Sequence, residues 1–184
     1  RGGNAPTKEF GKVLKGILSG EIGKDLSLCA LFALRTHPYQ QVIDYLLRVG
    51  KTGGDLEKVA VAFSLASMEG GVGLPALSKV LDGNKVPEMA RLAAYVPLIS
   101  GYGSVKGASA LVIERLAKER DALLALYLVK GVASRAGREA LPELEAVARR
   151  HPALKPAVAV ASAAIDDRHP SEWTWMIALL SVVL

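Results

Sequence analysis

The chain repeats itself. Near-identical tetrapeptides, Leu74-Pro75-Ala76-Leu77 and Leu141-Pro142-Glu143-Leu144, open two amphipathic stretches 67 residues apart. That distance is twice a period of about 33. Apolar helical segments recur from Ala30, Ala62, Ala93, Ala125 and Ala159, at steps of 32, 31, 32 and 34. A hairpin of this length cannot bury its apolar face alone, so copies must stack. The sequence therefore predicts an all-α chain. Its expected form is an α-solenoid, a right-handed superhelix of about five stacked helical hairpins, plus a C-terminal capping helix.

The helices follow from apolar residues at three- and four-residue spacing. First helices are expected over about Thr7–Leu18, Pro38–Val49, Gly73–Leu81, Val105–Ala117 and Arg138–Arg150. Second helices are expected over about Lys24–Thr36, Asp55–Met68, Pro87–Ser100, Glu119–Ala133 and Ala153–Ile165. Thr7, Asp55 and Ser171 suit N-caps. Glycine clusters such as Gly50-Lys51-Thr52-Gly53-Gly54 and Gly70-Gly71-Val72-Gly73 fall between helices, where a terminating Gly is expected. Pro97 lies within a second helix and should kink it. No period-2 alternation bounded by turns is present. Residues 1–6 read as an extended tail and 7–184 as one helical-repeat domain.

Apolar residues make up 51% of the 184 positions, enough for a sizeable core, and aromatics only 5%. The core is therefore built of Ala, Leu and Val, which let helices approach closely. The net charge is +5, with a surplus in residues 105–155 of ten bases over six acids. Such a surplus suits an acidic protein, a nucleic acid or an anionic membrane surface. The single cysteine, Cys29, excludes an internal disulfide and reads as a small buried residue in a reducing, cytoplasmic setting. The apolar run Trp173–Leu184 is too short to span a bilayer, so membrane association is expected only if the chain continues past Leu184. Trp173, Trp175 and Met176 are expected to cover the open end of the array.

All three histidines precede proline: His37-Pro38, His151-Pro152 and His169-Pro170. His suits the negative end of a helix, and Pro opens the next helix. Their separations of 114 and 18 residues, with no Cys partner, do not form a metal-ligand set. Gly101-Tyr102-Gly103-Ser104-Val105-Lys106-Gly107 lacks the phosphate-loop spacing and any preceding strand. No catalytic constellation emerges, and no cofactor or metal is expected.

The repeat register supplies a candidate site instead. Alignment on the five alanines puts Phe32, Ser64, Tyr95, Tyr127 and Ala161 in one column. Arg35 and Lys130 lie one turn further on, and Arg91 one turn before Tyr95. Phe32, Arg35, Arg91, Tyr95, Tyr127 and Lys130 are therefore the candidate partner-binding residues, combining rigid aromatic area with charge. The competing reading packs these aromatics between neighbouring repeats.

Leu74-Pro75-Ala76-Leu77-Ser78-Lys79-Val80-Leu81-Asp82, then Val86, then Arg91-Leu92-Ala93-Ala94, resembles the HEAT repeat. That family has an apolar first helix with Pro, a turn Asp, and Val, Arg and Ala on the second helix. Leu141–Ala148 followed by Ala157-Val158-Ala159-Val160-Ala161 is similar, without the turn Asp or the Arg. The stretch Ala125–Gly131 with Glu139–Leu144 also resembles the tetratricopeptide repeat, and the period is nearer to that family's. Both resemblances imply an α-solenoid that binds protein. The expected function is a non-catalytic protein-interaction scaffold. The alternative is a nucleic-acid-binding HEAT-like protein, or else a HEAT-fold enzyme such as a glycosylase or lyase.

Overall fold

The computed structural model describes residues 12, 16, 24–83, 85–100 and 107–165, with the side chains of 24–27 excepted. The described residues are helical, with no strand among them. Nine α-helices follow in order: α1 Lys24–Ala33, α2 Gln40–Thr52, α3 Asp55–Ala66, α4 Leu74–Leu81, α5 Glu88–Ser100, α6 Ala108–Lys118, α7 Ala122–Arg135, α8 Leu141–Arg150 and α9 Lys155–Ile165. Short 3-10 turns precede or follow several of them. The expected tail over 1–6, the first helix over 7–18 with its Thr7 cap, and the closing helix with Ser171, Trp173, Trp175 and Met176 lie outside the described residues.

The helix starts carry the period. Second helices begin at Asp55, Glu88, Ala122 and Lys155, spaced 33, 34 and 33; first helices begin at Gln40, Leu74, Ala108 and Leu141, spaced 34, 34 and 33. The described part of the expected domain over 7–184 falls into two compact units, residues 1–94 and 95–184, divided inside α5. In unit 1, α2 packs on α3 and α4, and α3 packs on α1 and α4. In unit 2, α6 packs on α7 and α8, and α9 packs on α7 and α8.

Small residues permit these contacts. Gly73, before α4, lies so close to Leu65 that a Cβ would strike the Leu65 carbonyl. Gly131, in the middle of α7, faces Ile99, whose Cδ1 would lie 2.7 Å from an added Cβ. Glycine in a helix interior costs about 1 kcal/mol relative to Ala. Here that cost is offset by the close approach of two helices.

Side chains from one hairpin satisfy helix ends in the hairpin before. A helix leaves its last four carbonyls without intrahelical partners. The Ser64 hydroxyl donates to the Leu31 carbonyl near the end of α1, at 2.7 Å. Arg135 Nε donates to Ile99 O near the end of α5, at 2.8 Å. The Arg150 guanidinium donates to Ala117 O and Glu119 O, both at 2.8 Å, and to Leu116 O at 3.4 Å, closing α6. The positive charge of arginine also suits the negative end of a helix. Each of these bonds spans 31 to 36 residues, about one period.

Local chemistry differs from expectation at a few points. The N-cap of α3 is Gly54, and Asp55 is the first helical residue. Glu57 takes the capping role, its Oε2 accepting the Gly54 N–H at 2.6 Å. Pro97 lies inside α5, which continues as α-helix to Ser100. His37 and His151 share a pre-proline backbone, with φ/ψ of −122/79 and −125/83. Proline sterics disfavour the helical region for the residue before it, so the same dipeptide ends a helical segment twice. Pro152 opens the next helical turn as expected, whereas Pro38 lies two residues before α2. Cys29 is exposed rather than buried. The core face runs through Leu31 of α1 and Leu34 of the 3-10 turn that follows it, and Cys29 shares the outward face of α1 with Ala33.

Candidate interaction surfaces

In unit 1, two candidate residues meet a third aromatic. Phe32 on α1 packs edge-to-face on Phe63 of α3, with ring centroids 5.6 Å apart and planes at 66°. The Arg35 guanidinium stands 5.8 Å from the Phe63 centroid, within cation–π range. Its Nη1 also makes a long hydrogen bond of 3.4 Å to the Phe32 carbonyl. Both rings are half-buried and Arg35 is exposed. The result is a preformed aromatic patch with a charged rim. Phe63 was absent from the sequence-derived site. Its signal was the spacing of 31 from Phe32, which places each ring eight residues after its helix start.

An open groove of about 610 Å³ lies nearby in sequence, lined by Asp55, Lys85, Val86, Pro87, Glu88, Met89 and Arg91. It forms where the α2–α3 turn adjoins the α4–α5 turn. Arg91 is half-buried in its wall. Lys85 takes a left-handed backbone, φ 58, which L-residues other than Asn and Asp rarely adopt. The residues after the first of α3 and α5, Leu56 and Met89, are 69% and 62% exposed. The equivalent residue of α7 in unit 2, Leu123, is 64% exposed.

In unit 2, Tyr127 and Lys130 lie one turn apart on α7. Tyr127 is half-buried and Lys130 exposed. Burial pushes the Tyr127 phenol above its ordinary value. Tyr95 departs from the expectation of exposure, being only 2% exposed. Its hydroxyl donates to Glu119 Oε2 at 2.9 Å. Glu119 is itself buried, and its Oε1 accepts the backbone N–H groups of Arg120 and Asp121. A buried phenol needs such a partner, and this one is complete.

The physical reason is register. Counted from the helix starts, Tyr95 is equivalent to Leu31, Ala62 and Val129, all buried. Tyr127 sits two positions earlier in its helix than Tyr95 does. The alanine alignment had shifted the two helices by half a turn, so the tyrosines do not form one column. Lys130 instead shares a position with Phe32, Phe63 and Val96, all half-exposed.

Among the described residues, no group of three or more His, Cys, Asp or Glu side chains could hold a metal ion. Nor is any helix there long and apolar enough to cross a membrane. Compared with known proteins, the chain matches no family model, no curated protein and no solved structure. The class defined by its structure is an all-α protein.

Proposed function

We propose that the chain is a HEAT-like α-solenoid serving as a non-catalytic protein-interaction scaffold. One observation carries the reading. Helix starts recur every 33 or 34 residues, and within each unit like helices pack on like, α1 on α3, α2 on α4, α6 on α8 and α7 on α9. Stacked hairpins of this kind expose a row of equivalent positions on every second helix. The Phe32–Phe63–Arg35 patch is the part of that row best suited to hold a partner. Aromatic and arginine side chains dominate binding energy at interfaces, and these are already held in place by one another. Tyr127 and Lys130 belong to the same class of surface in unit 2, and Tyr95 belongs to the core.

The test is quantitative capture of proteins from the source cell on the immobilised chain, compared with Arg35→Ala/Phe63→Ala. The variant should lose a defined partner while its melting temperature stays close to that of the parent. Capture that is unchanged per folded molecule would reject the patch as the binding face.

A further inference from the structure

The Arg150 bonds bring two hairpin turns of unit 2 together, and the residues around them are cationic. Arg150 reaches the Ala117 and Glu119 carbonyls at 2.8 Å, so the α8–α9 turn adjoins the α6–α7 turn. Arg120 flanks the first turn; Arg149, Arg150 and Lys155 flank the second, and all four are exposed. Among the described residues, Arg120, Arg150 and Lys155 form no ion pair. Arg149 has a long contact of 3.8 Å to Glu145, with both side chains 72% exposed. Screening by water leaves such a pair little strength. Lys118, also at this edge, is paired with Glu114 at 2.8 Å.

The acids of the two turns are engaged by other groups. The Glu119 carboxylate is buried against Tyr95 and two backbone N–H groups. Asp121 caps α7, accepting the Leu124 N–H at 2.9 Å. Arg120, Arg149 and Lys155 therefore present charge at one edge, Arg149 beside the exposed Glu145, while Arg150 is held by the carbonyls of the α6 end. The turns carry no Phe, Tyr or Trp, the one ring there, His151, is half-buried, and the exposed large apolar residue adjoining them is Leu123 on the first turn of α7. A protein interface of ordinary kind needs an apolar core. Base stacking on a single strand needs aromatic platforms. A phosphate backbone needs neither, only cations at spaced positions.

We infer that this edge binds the phosphate backbone of a nucleic-acid duplex, without reading its sequence. Helices packed side by side lie about 8–10 Å apart, so the two turns meet different phosphates. The inference is independent of the scaffold reading, because it rests on other residues in the other unit.

The experiment is fluorescence anisotropy of labelled DNA and RNA duplexes with the full chain, titrated from about 50 to about 200 mM salt. Each phosphate neutralised contributes about −0.9 to the log–log salt slope, so about three contacts should give a slope near −3. Arg120→Gln/Lys155→Gln should reduce the steepness by about 2 and weaken binding at low salt several-fold, with an unchanged melting temperature. The charge-keeping Arg120→Lys/Lys155→Arg should bind like the parent. Comparable binding of both duplexes places the recognition in the shared phosphate chemistry. Preference for one duplex assigns the source of the backbone. No binding at low salt, a Gln variant that binds as tightly as the parent, or equal displacement by poly-glutamate would overturn the inference.

Discussion

The two units build the same junction from different residues. In unit 1 the α2–α3 turn adjoins the α4–α5 turn, and in unit 2 the α6–α7 turn adjoins the α8–α9 turn. The first junction is an open groove lined by both signs of charge, Asp55 and Glu88 with Lys85 and Arg91. The second is a basic edge at which Glu119 is buried and Asp121 caps α7. The difference arises from which acid at each turn is left exposed. Unit 1 uses Gly54 as the cap of α3 and leaves Asp55 exposed. Unit 2 uses Asp121 to cap α7 and buries Glu119. Each unit engages one carboxylate in its cap, Glu57 in unit 1 and Asp121 in unit 2, so the contrast rests on the acid beside it, exposed Asp55 against buried Glu119. Unit 1 is left with an aromatic and charge-balanced face, unit 2 with a basic one.

The largest expected effect tests the packing on which both units rest. Gly73→Ala drives a Cβ into a backbone carbonyl, which cannot turn aside. A loss of about 3 kcal/mol is expected, at the upper end for overpacking. Gly131→Ala meets three carbons of the β-branched Ile99 side chain rather than backbone, and gains about 1 kcal/mol of helix preference. Its net loss should be about 1–2 kcal/mol, less than for Gly73→Ala. Urea unfolding of both variants checks the order. A reversal would show that the close approach in unit 2 is the more rigid.

Next in size is the arginine that joins the turns of unit 2. Arg150→Ala removes charge-assisted bonds to three carbonyls and should cost about 2 kcal/mol. Arg35→Ala in unit 1 removes a long hydrogen bond and an exposed cation–π contact, and should cost about 0.5 kcal/mol. Equal losses would erase the distinction between a structural and a presented arginine.

Tyrosine burial gives a smaller, sharper contrast. Tyr95→Phe removes the hydroxyl that serves buried Glu119 and should cost about 1–2 kcal/mol, against less than about 0.5 kcal/mol for Tyr127→Phe. Tetranitromethane should nitrate Tyr127 in the native chain well before Tyr95. Equal rates would contradict the register counted from the helix starts.

Helix positions were legible in the sequence because they depend on local signals. Apolar spacing, glycine clusters and His-Pro dipeptides each act within a few residues, and the observed helices begin within three residues of the expected starts. The register between helices was not legible to the same degree. Ala-rich second helices align almost equally well when shifted by half a turn, and only the helix starts separate the choices. Burial of Tyr95 depends on Glu119, which comes from the turn after the following helix. Nothing in the residues around Tyr95 announces that partner. Phe32 and Arg35 were found because their chemistry is suited to binding at any exposure, while Phe63 was missed by one position in the alanine alignment.

The smallest effect concerns acid. Glu114 is held below its ordinary value of 4.5, first by the hydrogen bond from Lys118, with Arg115 adding to it. A carboxylate with a lowered folded value stabilises above its unfolded value and loses that contribution as pH falls through the folded one. The pair is largely exposed, so the stabilisation is a few tenths of a kcal/mol. Glu114→Gln should be slightly less stable than the parent near neutral pH and indistinguishable from it once the pH has fallen below the lowered folded value of Glu114. A difference that grows in acid would contradict the assigned cause.

The division of labour between the units is tested most directly by one paired capture measurement. Protein and nucleic acid bound by the immobilised chain are quantified together, for the parent, for Arg35→Ala/Phe63→Ala and for Arg120→Gln/Lys155→Gln. The expected result is a crossed loss: the first variant keeps nucleic acid and loses its protein partner, and the second does the reverse. A variant that loses both while still folded, or two variants that lose neither, would contradict the assignment of separate surfaces to the two units.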